Sequence, residues 1–164
     1  MSTRSTREKA AAKKRLRVCH SSASVEWATP QDFYDRQHAI HGFTLDAAAT
    51  AKNAKCAKFF TQAHDGLAQD WRADRVWLNP PYGRTIGLWM RKAWEESQRG
   101  ALVVCLVPSR TCTAWFHDYA IRGDLAFIRG RLKFGGSKNA APFPSLLVGF
   151  RPRRAKTGRT SRKP

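Results

Sequence analysis

Between residues 25 and 150, short apolar runs alternate with stretches whose apolar positions recur at helical spacing. Residues 101–107, Ala-Leu-Val-Val-Cys-Leu-Val, are apolar without a break, the pattern of a strand covered on both faces. Shorter runs predict strands at 43–46, 76–78, 125–128 and 146–150. Residues 86–98 carry Leu88, Trp89, Lys92, Ala93 and Glu96 at mixed 3.6-residue spacing and predict a helix, and 114–119 predict a short one. Thr29 followed by Pro30 reads as a helix start, with Thr29 as N-cap and Pro30 at the first helical position. Residues 53–60 read as helix or turn. Strand and helix alternate, so the expected fold is an α/β sandwich around a largely parallel sheet. Ligands in such folds sit at the carboxyl ends of strands, where Asp46 and Asn79 are placed.

Asn79-Pro80-Pro81-Tyr82 follows the apolar run Val76-Trp77-Leu78 and precedes Gly83. Each proline pushes the residue before it out of the α region, so the strand passes at once into a stiff turn. The Asn79 amide, the Pro80 carbonyl and the Tyr82 ring are thereby held near one another. Such a set suits a planar group bearing an NH2. The exocyclic amine of adenine is a poor nucleophile because its lone pair is delocalised into the ring. Two acceptors, Asn79 Oδ1 and the Pro80 carbonyl, would favour a pyramidal nitrogen whose lone pair faces an electrophile. Tyr82 would stack on a base drawn out of its duplex.

The chain has 164 residues, 42% of them hydrophobic, with six Trp and nine Phe, enough for one domain with a core. No apolar run approaches the ~18 residues of a membrane span. The basic, Ser- and Arg-rich start has no apolar h-region of a secretory signal and only weakly resembles a transit peptide. Cys19, Cys56, Cys105 and Cys112 show no C-x-x-C spacing, which points to a reducing, cytoplasm-like compartment, with Cys105 in the core. His20, His38, His41, His64 and His117 lack metal-ligand spacing, and no metal is expected. Trp71, Trp77, Trp89, Trp94 and Phe127 are expected in the core.

Charge changes the picture most. The formal net charge is +18. Residues 1–24 hold seven Lys/Arg and one acid, and residues 151–164 hold seven and none, which leaves only +5 on 25–150. The reading is a folded unit at 25–150 between two disordered basic arms that can neutralise nucleic-acid phosphates without reading sequence.

The Asn79-Pro80-Pro81-Tyr82 turn resembles motif IV of the S-adenosylmethionine-dependent amino methyltransferases. Further strings extend the likeness: Trp27 to Pro30, Phe43 to Ala48, Asn53 to Cys56, Asp65 to Leu67, Asp70-Trp71, Leu106 to Pro108, Gly130 to Phe134 and Ala141 to Ser145. Together they resemble the small phage-type DNA adenine-N6 methyltransferase family over about residues 25–150. That resemblance implies a Rossmann-like methyltransferase fold, a three-layer α/β/α arrangement with a mostly parallel sheet. It implies methyl transfer from S-adenosylmethionine to the N6 amine of a flipped adenine in DNA, in a bacterial cytoplasm, with Asn79, Pro80 and Tyr82 catalytic. Thr29 and Pro30 would hold the amino-acid end of the cofactor, Asp46 its amino group, and Asp65 the amine of its adenine. Pro81, Arg84, Arg110, Arg131 and Lys133 would meet the substrate, with Ser109 and Arg129 on the same DNA-facing rim. Base readout is expected from loops such as 110–118 or 129–145, or else to be loose. The chain departs from the family pattern in two places. Ala47-Ala48-Ala49 stands where a Gly-rich loop is usual, and no acid marks a ribose contact. The same motif also fits enzymes that methylate adenine in RNA or glutamine in proteins, and a non-catalytic nucleic-acid-binding protein could keep the fold.

Overall fold

The computed structural model describes residues 27–153; the arm expected at 1–24 lies outside them, as does all of the tail expected at 151–164 except its first three residues. Helix α1 (Gln31–His41) leads into β1 (Leu45–Asp46) and β2 (Lys58–Phe59). Then come β3 (Arg75–Leu78), α2 (Ile86–Gln98), β4 (Leu102–Pro108), the short α3 (Ala114–Asp118), β5 (Asp124–Phe127) and β6 (Ser145–Phe150). One six-stranded sheet has the order β2-β1-β3-β4-β6-β5. The four strands β2, β1, β3 and β4 are mutually parallel, while β6 runs against both β4 and β5. The fold is therefore α/β with one reversed strand in a mostly parallel sheet, as the alternation of elements predicts.

The continuous apolar run becomes the central strand β4, buried from Val103 to Pro108. Trp77 of β3 is fully buried and packs on Phe43, with ring centroids 5.3 Å apart, and on Tyr34 of α1 at 5.6 Å. These contacts dock α1 on the sheet. Burying an aromatic ring removes about 150–250 Å2 from water, worth roughly 4 kcal/mol or more at about 25 cal/mol per Å2. Helix α1 stops at Gly42, whose φ of 60° is the left-handed cap that glycine takes without strain; its amide donates to the His38 carbonyl at 2.7 Å.

Several expectations need correction. Residues 58–59 are a strand, not helix or turn, because they pair in parallel with β1 (Leu45 with Lys58, Asp46 with Phe59). A Lys-Phe pair has no periodicity that could announce this. Pro30, not Thr29, is the N-cap of α1, and no side chain caps the helix. Phe127 is 63% exposed rather than in the core, since β5 is an edge strand. The folded unit also continues past 150: Arg151 pairs with Asp124 at 2.6 Å and the Arg153 amide donates to the Ser97 carbonyl at 3.0 Å.

Candidate active site

Strands β1, β2 and β3 are parallel, so their carboxyl ends share one edge of the sheet. A cavity of about 750 Å3 opens there. Its wall is built from residues 47–51, Asn53, 60–63, 65–66 and 79–81, with Trp27 and Trp89. The first of these segments leaves β1, the third leaves β2, and the Asn79-Pro80-Pro81 turn leaves β3. Parallel pairing thus converts three separate strand ends into one concave surface.

Asn79 sits at the wall and is half-buried. Its amide nitrogen donates to the Trp27 carbonyl and, at 3.1 Å, to Thr29 Oγ1. Its Oδ1 is buried and has no hydrogen-bond partner among the described residues. Buried acceptors are nearly always paired, so an unpaired one in a cavity wall is a candidate position for a ligand donor. Pro80 and Pro81 line the same wall, and among the described residues no backbone N–H donates to the Pro80 carbonyl. Among the described residues, neither acceptor has a protein donor.

Tyr82 does not join them. Its ring is 4% exposed and packs edge-on against Phe143 at 5.6 Å and Phe134 at 6.1 Å, and its hydroxyl donates to the Leu106 carbonyl at 3.0 Å. Burial lifts the phenol well above its ordinary pKa, so that hydroxyl stays a donor. The aromatic surface in the wall comes from Trp27, Phe60 and Trp89 instead. Trp89, expected in the core, is half-buried and stacks on Trp71 at 6.4 Å.

Thr29 is 6% exposed and spends its hydroxyl on Asn79 rather than facing the cavity; Pro30 is also absent from the wall. Asp46 lies beneath the wall, not in it. Its carboxylate accepts from the amides of Lys55 at 3.0 Å and Ala48 at 3.4 Å and so shapes the loop that lines the cavity. Desolvation raises its pKa from 3.8 to about 6, against the lowering effect of those two amides and of the Lys55 charge. Asp65 does line the wall, exposed, in a left-handed conformation (φ 48°) that closes a 3-10 turn at Gln62–His64. Arg84, Arg131 and Lys133 are exposed and Arg110 is half-buried; none of them touches the cavity. Arg131 also donates to the Ala141 carbonyl at 3.2 Å, tying together the loop between β5 and β6.

Phe60 to Ala63 carry no signal in the sequence, because the two-residue strand β2 before them has no periodicity. Trp27 stands in the sequence only as part of the family-like string Trp27 to Pro30. The one available signal for Trp27 was its position two residues before Thr29.

Gly66 permits the closure of this wall. A Cβ there would stand 2.3 Å from the Ala47 carbonyl oxygen and 3.1 Å from the Trp89 ring. Gly66→Ala is expected to cost about 1–3 kcal/mol of stability, read by thermal unfolding. Gly87→Ala in α2, whose nearest neighbour would be Trp115 Cβ at an ordinary 3.6 Å, is the matched control and should not destabilise. Equal stability of the two variants would show that Ala47 moves aside freely.

A profile of the family described as DNA N-6-adenine-methyltransferase (Dam) matches residues 19–162. The chain belongs to this Dam family. It is 32% identical over 129 residues to a DNA N-6-adenine-methyltransferase of Escherichia phage T1, covering 63% of this chain and 54% of that relative. It is 29% identical over 137 residues to the DNA N-6-adenine-methyltransferase of Haemophilus phage HP1 (strain HP1c1), covering 77% of this chain and 79% of that one. The chain thus spans about half the length of the T1 relative. The matched Dam region takes in the entire cavity wall.

Proposed function

We propose that this chain transfers a methyl group from S-adenosylmethionine to the N6 amine of an adenine drawn out of DNA. The observation that carries the reading is the buried Oδ1 of Asn79, just past the end of β3, which has no partner among the described residues. Its family membership supports the DNA adenine substrate. The cavity of about 750 Å3 lies in the range of small-molecule sites, about 300–1,000 Å3. Its wall is made of small residues, Ala47 to Ala49 and Gly66, against two aromatic faces, Phe60 and Trp89, with Asp65 as an acceptor at the rim. These residues fit an adenosine-bearing cofactor. Asp65 would accept from its adenine amine, and the 47–51 loop would bed the methionine end. When bound, S-adenosylmethionine supplies an electrophilic methyl on a sulfonium.

The chain's own contribution is orientation and hydrogen-bond acceptance. Asn79 Oδ1 and the Pro80 carbonyl take the two hydrogens of the target amine, which frees its lone pair from the ring. No strong base is required, since the nitrogen sheds a proton after the methyl arrives. Trp27, at the Asn79 end of the wall, offers the base a stacking face worth about 1–3 kcal/mol. Arg84, Arg110, Arg131 and Lys133 are the groups that would meet phosphates.

Two measurements test this. The full chain, given labelled S-adenosylmethionine with DNA, RNA and protein side by side, should label DNA as N6-methyladenine. Label in RNA or protein alone, or in nothing, overturns the reading. The second concerns pH. Asp46 is pushed up to about 6, so the free protein holds that proton between about pH 4 and 6 while the unfolded chain does not. Its stabilising effect is present below pH 4 and lost as pH rises through 6. The shift of about two pKa units corresponds to a cost of about 3 kcal/mol for the buried charge at neutral pH. A cationic cofactor above the Ala47-Ala48 loop relieves that cost. Cofactor affinity is therefore expected to rise with pH through about 6, with proton release on binding, in calorimetry across pH 5–8. A flat affinity over that range would separate Asp46 from cofactor binding.

A further inference from the structure

Both hydrogens of the Asn79 amide are taken by groups that lie 52 and 50 residues earlier in the chain, the Trp27 carbonyl and Thr29 Oγ1. A primary amide can be turned over to exchange its oxygen and nitrogen. Here the exchange is blocked, because it would set the amide oxygen against the Trp27 carbonyl oxygen with no hydrogen between them. The segment that supplies these acceptors is itself anchored. The Trp27 ring meets Phe143 edge-on at 5.1 Å and Phe134 at 5.5 Å, and the Ala28 carbonyl accepts the Gly135 amide at 2.8 Å. Thr29 is buried, makes no helix-capping bond and does not line the cavity. Its hydroxyl has one visible task, which is to hold Asn79.

We propose that Thr29 is a positioning residue for methyl transfer: together with the Trp27 carbonyl it takes both amide hydrogens of Asn79 and commits Oδ1 to the target amine. This inference rests on the function proposed above. It differs from the cofactor-holding role that the family resemblance implies for Thr29, and the two roles have different kinetic signatures. A cofactor contact shows in the affinity for S-adenosylmethionine. A residue that orients Asn79 shows in turnover at saturation.

Thr29→Val removes the acceptor and keeps the branched shape, while Thr29→Ser keeps the acceptor. In the full chain, with DNA and S-adenosylmethionine saturating, Thr29→Val is expected to lower kcat by about 10- to 100-fold. Its Kd for S-adenosylmethionine should stay at the wild-type value, and Thr29→Ser should recover most of the turnover. Asn79→Asp gives a second readout that does not require the Thr29 variants to fold. An ionised carboxylate would face the Trp27 carbonyl with like charge, and only its protonated form can donate there. The residual kcat of Asn79→Asp at saturating cofactor is therefore expected to climb as pH falls, relative to wild type. Wild-type kcat in Thr29→Val, a loss confined to cofactor affinity, or an Asn79→Asp profile parallel to wild type would each overturn the proposal. A wild-type chain that methylates no DNA would instead strike down the proposed function itself.

Discussion

Asn79→Ala is expected to lower turnover by about 10²–10³-fold, the loss found when one preorganised hydrogen-bonding group is removed from a reacting centre. The affinity for S-adenosylmethionine should change little. Asn79 is one residue of a long wall, and the loop from Ala47 to Ala51 and the Asp65-Gly66 pair stay in place. Stability should fall by no more than about 1–3 kcal/mol. The substitution strands the Thr29 hydroxyl and the Trp27 carbonyl, but it also removes an Oδ1 that is buried without a partner. The decisive measurement is single-turnover methylation of DNA alongside cofactor calorimetry. Turnover near the wild-type rate would take Asn79 out of the mechanism, whatever its geometry.

The largest effect on stability should come from a residue outside the cavity. Glu96, in the last turns of α2, is 1% exposed. Its carboxylate accepts from Lys92 Nζ at 2.8 Å, Arg99 Nη1 at 2.6 Å and the Trp71 amide at 3.1 Å. Three donors thus meet the buried group, two on Oε1 and one on Oε2. Glu96→Ala leaves the Trp71 amide unpaired and Lys92, 16% exposed, without its counter-charge. Breaking a buried ion pair in this way costs about 3–5 kcal/mol. Arg99 is 47% exposed and can turn to water, which puts the expected loss near the lower end, about 3 kcal/mol. At about 2–4 °C per kcal/mol for a chain of this size, Tm should drop by about 6–12 °C. Trp71 also donates from its indole to the Gly66 carbonyl at 3.1 Å, so the damage should reach the cavity wall. A shift of under about 2 °C would mean that the pocket around Glu96 fills with water at little cost.

The two residues differ in how far the sequence foretold them. Asn79 was legible because its neighbours restrict it covalently: two prolines after an apolar strand leave few conformations. Glu96 was legible only as a helical position. That it is buried and triply bonded follows from the loop before β3 folding back over α2, which no local pattern records. Tyr82 was misplaced for a related reason. The motif fixes its backbone, but the ring goes where Phe134 and Phe143, more than fifty residues later, make room for it. Thr29 looked like a helix cap since Thr before Pro commonly is one. Its hydroxyl found a better partner in Asn79, brought to it by docking of α1 against β3.

By itself the amino-acid order determined what depends on neighbours along the chain. It set the alternation of strands and helix, the buried central strand β4, and the stiffness of the Asn79-Pro80-Pro81 turn. Periodicity and proline restriction act over a few residues and need no fold to operate. Only the tertiary structure decided which side chains face the cavity. It made a strand of Lys58-Phe59, turned Tyr82 inward, put Trp27 and Trp89 in the wall, and left Asn79 Oδ1 without a partner. Those outcomes belong to contacts between distant segments, where packing and hydrogen-bond competition outweigh local preference.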